Sequence, residues 1–524
     1  MPRQIRRNAG KWILLAVTVL LFSRNVQPFT PSGRAPKFNA YVAPLPRRLS
    51  FRPSPQHKNC ITHPSKKAVH CSDGLQLRSR GSGGGNRAPG SSRRSGDSSG
   101  DSGGSSSAVS YFSSSLPPVF LGLTTGAAIV LLKLSISSLQ SFFYTTSSSS
   151  SIPSSLIPFF GGAVVVLLTV IPIQDNLKRT LSAISTLSTG NSLGPEGPCI
   201  ELGETLDTKV IKPLFNTTLP QHAMAAGVSA GFNAPIAGVI YALEVGAKLN
   251  NAKDGAEDGG DEYNKLITMF LCSISASLIT HFGLGNDLAF NTPASVINSL
   301  NLSFGEVIDF SVIGCLCGLG AFLLEQSEEM VKKSLANFGT EERKEIEIGE
   351  GEIEGGGGVD WKIFMPMLGG LTCSALSTLD SRILFFGYDT LNTLLLSSST
   401  IPLLELTRLI FLKSVATSVA RGTNLVGGVL APSLFIGAGV GSVWFGVSGD
   451  VGVGSVGSGP AYALVGAASF LGSRLGCPIA SSVLVFELTR DYDVLIALVA
   501  ASFIGRGVYV LLNDKFGARN KENQ

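Results

Sequence analysis

Two passages in opposite halves of this chain carry one pattern: APIAGVIYALE at 234–244 and CPIASSVLVFE at 477–487. Each reads Pro-Ile-Ala, six further residues, then Glu, so Pro235 stands to Glu244 as Pro478 stands to Glu487. Upstream of each lies an apolar stretch broken by glycine and proline, GNSLGPEGPCIELG at 190–203 and GGVLAPSLFIGAGVG at 427–441. Paired Gly/Pro-broken segments in matching halves are the sequence pointer to a membrane fold built from inverted repeats, with its site where the repeats meet.

Composition agrees with a membrane setting. Of the 524 residues, 44% are hydrophobic and 15% charged, against about 25% charged in soluble domains, and the mean hydropathy is +0.30. Apolar runs recur at Val119–Leu132, Phe159–Ile171, Leu266–Ile279, Phe310–Leu324, Leu409–Ala420, Ser433–Val447 and Val494–Leu512. Several are shorter than the roughly 20 residues of a straight spanning helix, so the pattern predicts an all-α polytopic membrane protein of tilted, partly broken helices. The net charge of +4 carries no nucleic-acid signal, and the lipid bilayer is the expected surrounding. The eight cysteines form no C-x-x-C pair and read as small buried hydrophobes; no metal site or cofactor is expected.

Three regions follow. Residues 1–107 read as presequence and linker. Arg3, Arg6, Arg7 and Lys11 flank the apolar WILLAVTVLLF, then comes an Arg-, Ser- and Pro-rich stretch free of acids, then a Gly/Ser-rich tract over 81–107. The first two segments resemble a bipartite plastid presequence, with Phe29 as the aromatic residue after the signal segment, which implies a plastid membrane; a signal anchor with a disordered tail is the alternative. Residues 108–514 form the transmembrane domain and 515–524 a short tail. The acidic stretches at 254–262 and 341–358 read as solvated loops. Gly122-x-x-x-Gly126 would seat a neighbouring helix closely.

Broken backbone at membrane depth is tolerated where it lines a cavity. A helix starting there presents free N–H groups and about half a positive charge. Such ends bind anions with no Lys or Arg, and the two broken motifs contain neither. Partial charges let an anion bind and leave again.

These residues resemble the CLC family of chloride channels and anion/proton exchangers. GNSLGPEGPCIELG resembles its G-(R/K)-E-G-P signature, GFNAPIAGVIYALE its F-N-A-P-x-x-G helix, GGVLAPSLFIGAGVG its G-x-F-x-P signature, and CPIASSVLVFELTRDYDVL its penultimate helical segment. The resemblance implies a CLC-type inverted repeat, a homodimer, and chloride or another small anion as the transported ion. It makes Glu196 the gating glutamate, within an anion-binding set of Gly194, Pro195, Glu196, Gly197 and Pro198 from one motif and Gly428, Val429, Leu430, Ala431 and Pro432 from the other. Within that set, the backbone N–H groups of Glu196, Gly197, Val429 and Leu430 would line the anion path.

The chain departs from the family pattern in several places. Pro195 replaces the basic residue before the glutamate, and Leu430 replaces a phenylalanine. The G-S-G-I-P signature that supplies a serine to the central anion is absent, with Ile171-Pro172 as a remnant. No tyrosine stands near Phe516, where the family's anion-binding tyrosine is expected, although Tyr509 is close by. The cytosolic nucleotide-binding CBS pair of many eukaryotic members is not expected. Exchangers of the family carry a proton-passing glutamate one position after that of the F-N-A-P helix; here Glu244 is followed by Val245. A passive channel is therefore expected, with a chloride or nitrate/proton antiporter as the alternative.

Other residues read more plainly. Glu244 and Glu487 are expected to cap or pair at helix ends, His222 and His281 to be structural, and Glu405 and Arg408 to form a local pair. GVSAG at 227–231 fits the G-x-S-x-G of serine hydrolases, which makes Ser229 the nucleophile of a remote alternative, an intramembrane protease; that chemistry needs a base beside the serine. Otherwise the protein is not expected to be an enzyme.

Overall fold

The computed structural model describes residues 103–149, 153–250, 259–285, 304–349, 361–396, 401–451 and 458–522. The segments read as presequence, and the linker up to residue 102, lie outside them. The described residues from Val109 onward belong to one unit. They are helical, with no strand among them and one isolated antiparallel bridge, Gly194 to Gly428.

The first half comprises α1 (Gly103–Ser149), α2 (Ile157–Val170), α3 (Asp175–Ser188), α4 (Glu196–Leu206), α5 (Pro220–Phe232), α6 (Pro235–Asn250) and α7 (Gly259–Leu284). The second comprises α8 (Phe304–Gly349), α9 (Met365–Ser377), α10 (Tyr388–Leu396), α11 (Leu403–Gly422), α12 (Leu430–Val451), α13 (Gly459–Leu475), α14 (Pro478–Thr489) and α15 (Leu495–Glu522). Among the described residues, five stretches are long and apolar enough to cross a membrane: Ser115–Ser147, Glu262–Leu284, Gly305–Ala336, Leu430–Gly449 and Leu495–Phe516. Others, including α6 and α14, are shorter apolar helices.

The repeat extends well beyond the two Pro-Ile-Ala passages. Gly122 and Gly126 of α1 lie against α7, where a Cβ at Gly126 would stand 2.6 Å from the Ala276 carbonyl oxygen. Gly314 and Gly318 of α8 lie against α15 in the same way, a Cβ at Gly314 standing 2.8 Å from the Ala501 carbonyl oxygen. These are the close backbone approaches that small residues permit between membrane helices. Helices α2 and α9 face each other through PFFGG (158–162) and PMLGG (366–370), Gly162 against the Pro366 carbonyl and Gly370 against that of Pro158. One element breaks the correspondence. Ile171–Gln174 joins α2 to α3, whereas Thr378–Pro402, containing α10, joins α9 to α11.

Proline at a first helical turn sacrifices no hydrogen bond, and α5, α6 and α14 all begin with one. Residue Asn233 (φ 57°) ends α5 and Gly476 (φ 71°) ends α13, both in the left-handed region that stops a helix. Each turn leads directly into a Pro-Ile-Ala helix, and those helices are clasped reciprocally. The Glu244 carboxylate at the end of one accepts hydrogen bonds from the N–H groups of Ile479 (3.3 Å) and Ala480 (2.9 Å) at the start of the other. Glu487 accepts in turn from Ile236 (3.2 Å) and Ala237 (2.9 Å). Both glutamates are therefore caps, as expected, but each caps the other repeat. Beneath this pair α13 is buried on every side from Gly459 to Ser473, as befits an apolar, Gly/Ala-rich helix.

Two sequence expectations require correction. Glu405 and Arg408 do not pair: Arg382 bridges Glu405 (2.5 Å) and Asp380 (2.7 Å), while Arg408 donates to the Leu379 carbonyl oxygen (3.2 Å). The Asp380 side chain also caps the turn that carries Arg382, so the guanidinium is already aimed before Glu405 arrives. The described parts of the two acidic stretches are helix rather than loop, since α7 begins at Gly259 and α8 continues to Gly349. Glu, Lys and Arg are good helix formers, and they carry α8 onward after its apolar part ends. Of the six described cysteines, five are buried and Cys315 is exposed.

The clasp predicts a stability effect. Glu244→Ala and Glu487→Ala should each cost about 1–2 kcal/mol, because each removes a helix-end acceptor. The loss would be read as a lower thermal midpoint of the purified protein; an unchanged midpoint in both variants would count against the clasp.

Candidate functional site

The two broken motifs meet at their glycines. The Gly194 N–H donates to the Gly428 carbonyl oxygen (2.8 Å) and the Gly428 N–H donates back to that of Gly194 (2.6 Å). Two residues further on in each motif a helix begins, α4 at Glu196 and α12 at Leu430. The bridge thus brings both helix N-termini to one place. A Cβ at Gly428 would stand 2.7 Å from the Gly197 nitrogen and 3.4 Å from Glu196 Oε2. Only a bare backbone fits there. Flanking bonds hold the arrangement, with Ser192 Oγ 3.0 Å from Thr417 Oγ1 and Arg421 donating to the Gly427 carbonyl oxygen (3.2 Å).

Glu196 folds back into this junction and is 1% exposed. Its carboxylate interacts with the backbone N–H groups of Ala431 and of Glu196 itself, while Oε2 has no hydrogen bond of ordinary geometry within the protein. Ala431 belongs to the second motif, directly after Leu430. Oε1 accepts a hydrogen bond from the Tyr388 hydroxyl (2.6 Å). Charge on a carboxylate is favoured at such helix ends, and a small anion would be held by the same donors.

Tyr388 was not among the expected site residues, and its placement is elaborate. It is the first residue of α10, in the element that the first half lacks. Phe385 (φ 58°) and Gly387 (φ 85°) put left-handed turns just before it. The Phe385 N–H is tied to the Gly190 carbonyl oxygen (3.0 Å), at the start of the glutamate motif. Lys413, fully buried, donates to the carbonyl oxygens of Ile383 (2.8 Å) and Phe385 (2.7 Å) and lies over the Phe435 ring. A cavity of about 340 Å³ reaches this tyrosine and Pro195. On its wall, the Lys133 ammonium of α1 donates to the carbonyl oxygens of Ala230 and Gly231 at the end of α5.

The remaining expected positions lie elsewhere. Val245 packs beside the apolar group of Met224, Ala225, Val239, Ala242 and Met269. Tyr509 bonds to Glu325 and lies under Arg506, and Phe516 packs on Phe322. Ser229 is fully buried and donates to the Ala225 carbonyl oxygen (2.6 Å), while His222 pairs with Thr268 (2.9 Å). Neither histidine is placed as a base for Ser229 by any hydrogen bond between them.

The family model described as voltage gated chloride channel matches residues 170–509. Chloride channel protein CLC-e of Arabidopsis thaliana is 30% identical over 342 residues, which is 62% of this chain and 45% of that protein. The H(+)/Cl(-) exchange transporter ClcA of Klebsiella pneumoniae is 23% identical, over 61% of this chain and 62% of its own length. This chain thus spans less than half the length of the Arabidopsis relative. Among solved structures, a slow cyanobacterial Cl−/H+ antiporter superposes with a TM-score of 0.60 at 16% identity, covering 76% of this chain and 94% of its own. A CLC-type fluoride/proton antiporter gives 0.55 at 20% identity, covering 75% and 96%. Those two likenesses concern the fold. With the family model spanning most of the helical domain and the motifs joined as described, the chain belongs to the voltage gated chloride channel family, the CLC proteins.

Proposed function

We propose that this protein is a chloride channel in which Glu196 is the gate. The observation that carries the reading is the position of the Glu196 carboxylate at the joined N-termini of α4 and α12, held by Tyr388. In that position it competes with chloride for the same partial positive charge. Protonation, or displacement by an incoming anion, releases it and frees the path. The residue at the proton-passing position of exchangers is Val245, which carries no proton, so conduction is passive and uncoupled. We also propose a plastid membrane as the location, from the pattern of residues 1–107, and a homodimer with one pore per subunit, from the family resemblance. Crosslinking in membranes that yields only monomer at every dose would count against the dimer.

A second reading, a chloride or nitrate/proton antiporter, has support from the relative named as an exchange transporter. Reconstituted vesicles under a chloride gradient separate the two. A channel dissipates the gradient without moving protons, whereas an exchanger drives protons uphill at a fixed ratio to chloride.

Gating by Glu196 has a definite sign. Acid neutralises the carboxylate and opens the path, so chloride flux should rise as pH falls. Glu196→Ala should keep a chloride conductance and lose most of that dependence; full pH dependence in this variant would refute the assignment. Tyr388→Phe removes a hydrogen bond to a charged group, worth about 1.5–3 kcal/mol. The closed state should be disfavoured by roughly ten- to a hundredfold, seen as flux persisting at more alkaline pH than in the parent.

A further inference from the structure

The cavity beside Tyr388 is walled on one side by α1. Lys133, Ser137 and Gln140 line it together, at the i, i+4 and i+7 spacing of a single helix face. Asn233 joins them from the end of α5; its Oδ1 accepts from Ser277 (2.7 Å), which leaves its amide group as a donor. None of the described residues lining the cavity is acidic, and Lys133 is its one cation. The protein partners of that ammonium are two carbonyl oxygens, which satisfy two of its three donors and do not neutralise its charge. Lys133 interacts electrostatically with the Glu196 carboxylate, which the Tyr388 hydroxyl contacts. Two cavity walls, Pro195 and Tyr388, are also the immediate neighbours of the gate.

We infer that this cavity is an anion-loading site, in which the Lys133 ammonium gathers a small monovalent anion next to the gate and hands it to the helix ends when Glu196 withdraws. The inference rests on the reading of Glu196 as a gate across an anion path. The motif itself carries no cation, so Lys133 supplies from a different helix the full charge that raises the local anion concentration. Its two carbonyl contacts hold the ammonium at the wall, and the anion passes beside it rather than being trapped by several full charges. A cation-lined cleft with low-dielectric walls concentrates anions in this manner.

The test measures chloride flux against chloride concentration in vesicles containing the full chain, in a Glu196→Ala background so that gating does not intervene. Lys133→Gln should raise the half-saturating chloride concentration about threefold or more with the maximal rate little changed, and Lys133→Arg should restore it. Gln140→Glu introduces a negative charge while leaving Lys133 on its carbonyls, and it should shift the concentration in the same direction. This second variant guards against a folding defect in the first. An unchanged half-saturating concentration in both Lys133→Gln and Gln140→Glu would overturn the inference. If the Glu196→Ala chain carries no chloride at all, the gate reading fails instead, and crystals soaked in bromide then test the site alone. An anomalous peak beside Lys133 that disappears in Lys133→Gln supports loading; no peak in the parent overturns it.

Discussion

The arrangement of this protein depends on two carboxylates that each finish a helix belonging to the other half of the chain. Helices α6 and α14 begin with N–H groups that have no partner in their own helix. Glu244 serves Ile479 and Ala480, and Glu487 serves Ile236 and Ala237. Neither half is complete without the other. Once the two helices are locked end to end, the tight turns at Asn233 and Gly476 set the course of α5 and α13. Those helices pack under α4 and α12, through Gly227 against Ile200 and Gly466 against Gly437. The Gly194–Gly428 bridge then closes the centre, where the N-termini of α4 and α12 meet.

The local chemistry of the site follows from a shortage of full charge within the motifs. Neither broken segment contains a basic residue, so the positive potential within the motifs is that of backbone dipoles. The Glu196 carboxylate lies at that junction, and Tyr388 donates a hydrogen bond to it. The steadying tyrosine is in turn aimed by a buried lysine through two carbonyl groups. Each contact therefore acts on the next.

Much of this was legible in the residues, and the reasons for the exceptions are physical. Glycine and proline punctuation marked both helix starts, since those residue types are rarely placed otherwise inside apolar segments. The clasping role of Glu244 and Glu487 was visible only as a helix-end preference, because the bonds cross 235 to 251 positions of chain. The PFFGG and PMLGG passages are too short to stand out until α2 and α9 are seen face to face. Tyr388 carries no such signal, because the family resemblance points to a tyrosine at the C-terminal end and the aim of Tyr388 comes from the turns at Phe385 and Gly387 rather than from spacing. Glu405 and Arg408 show the opposite failure. Their local spacing favours a pair, yet a guanidinium already positioned by Asp380 captured the glutamate.

The reciprocal bonds have the form found between two identical subunits about a two-fold axis, where residue i meets j and j meets i. Matched helix ends and matched glycines thus join the halves, while the connectors are free to differ and add unmatched contacts, such as that of the Phe385 N–H with the Gly190 carbonyl oxygen. That freedom is visible in the chain. One half joins its second and third helices by Ile171–Gln174, while the other spends Thr378–Pro402 on the same passage and places there the tyrosine that steadies Glu196. A symmetric scaffold has in this way come to hold an asymmetric centre, with a hydroxyl contributed from one copy alone.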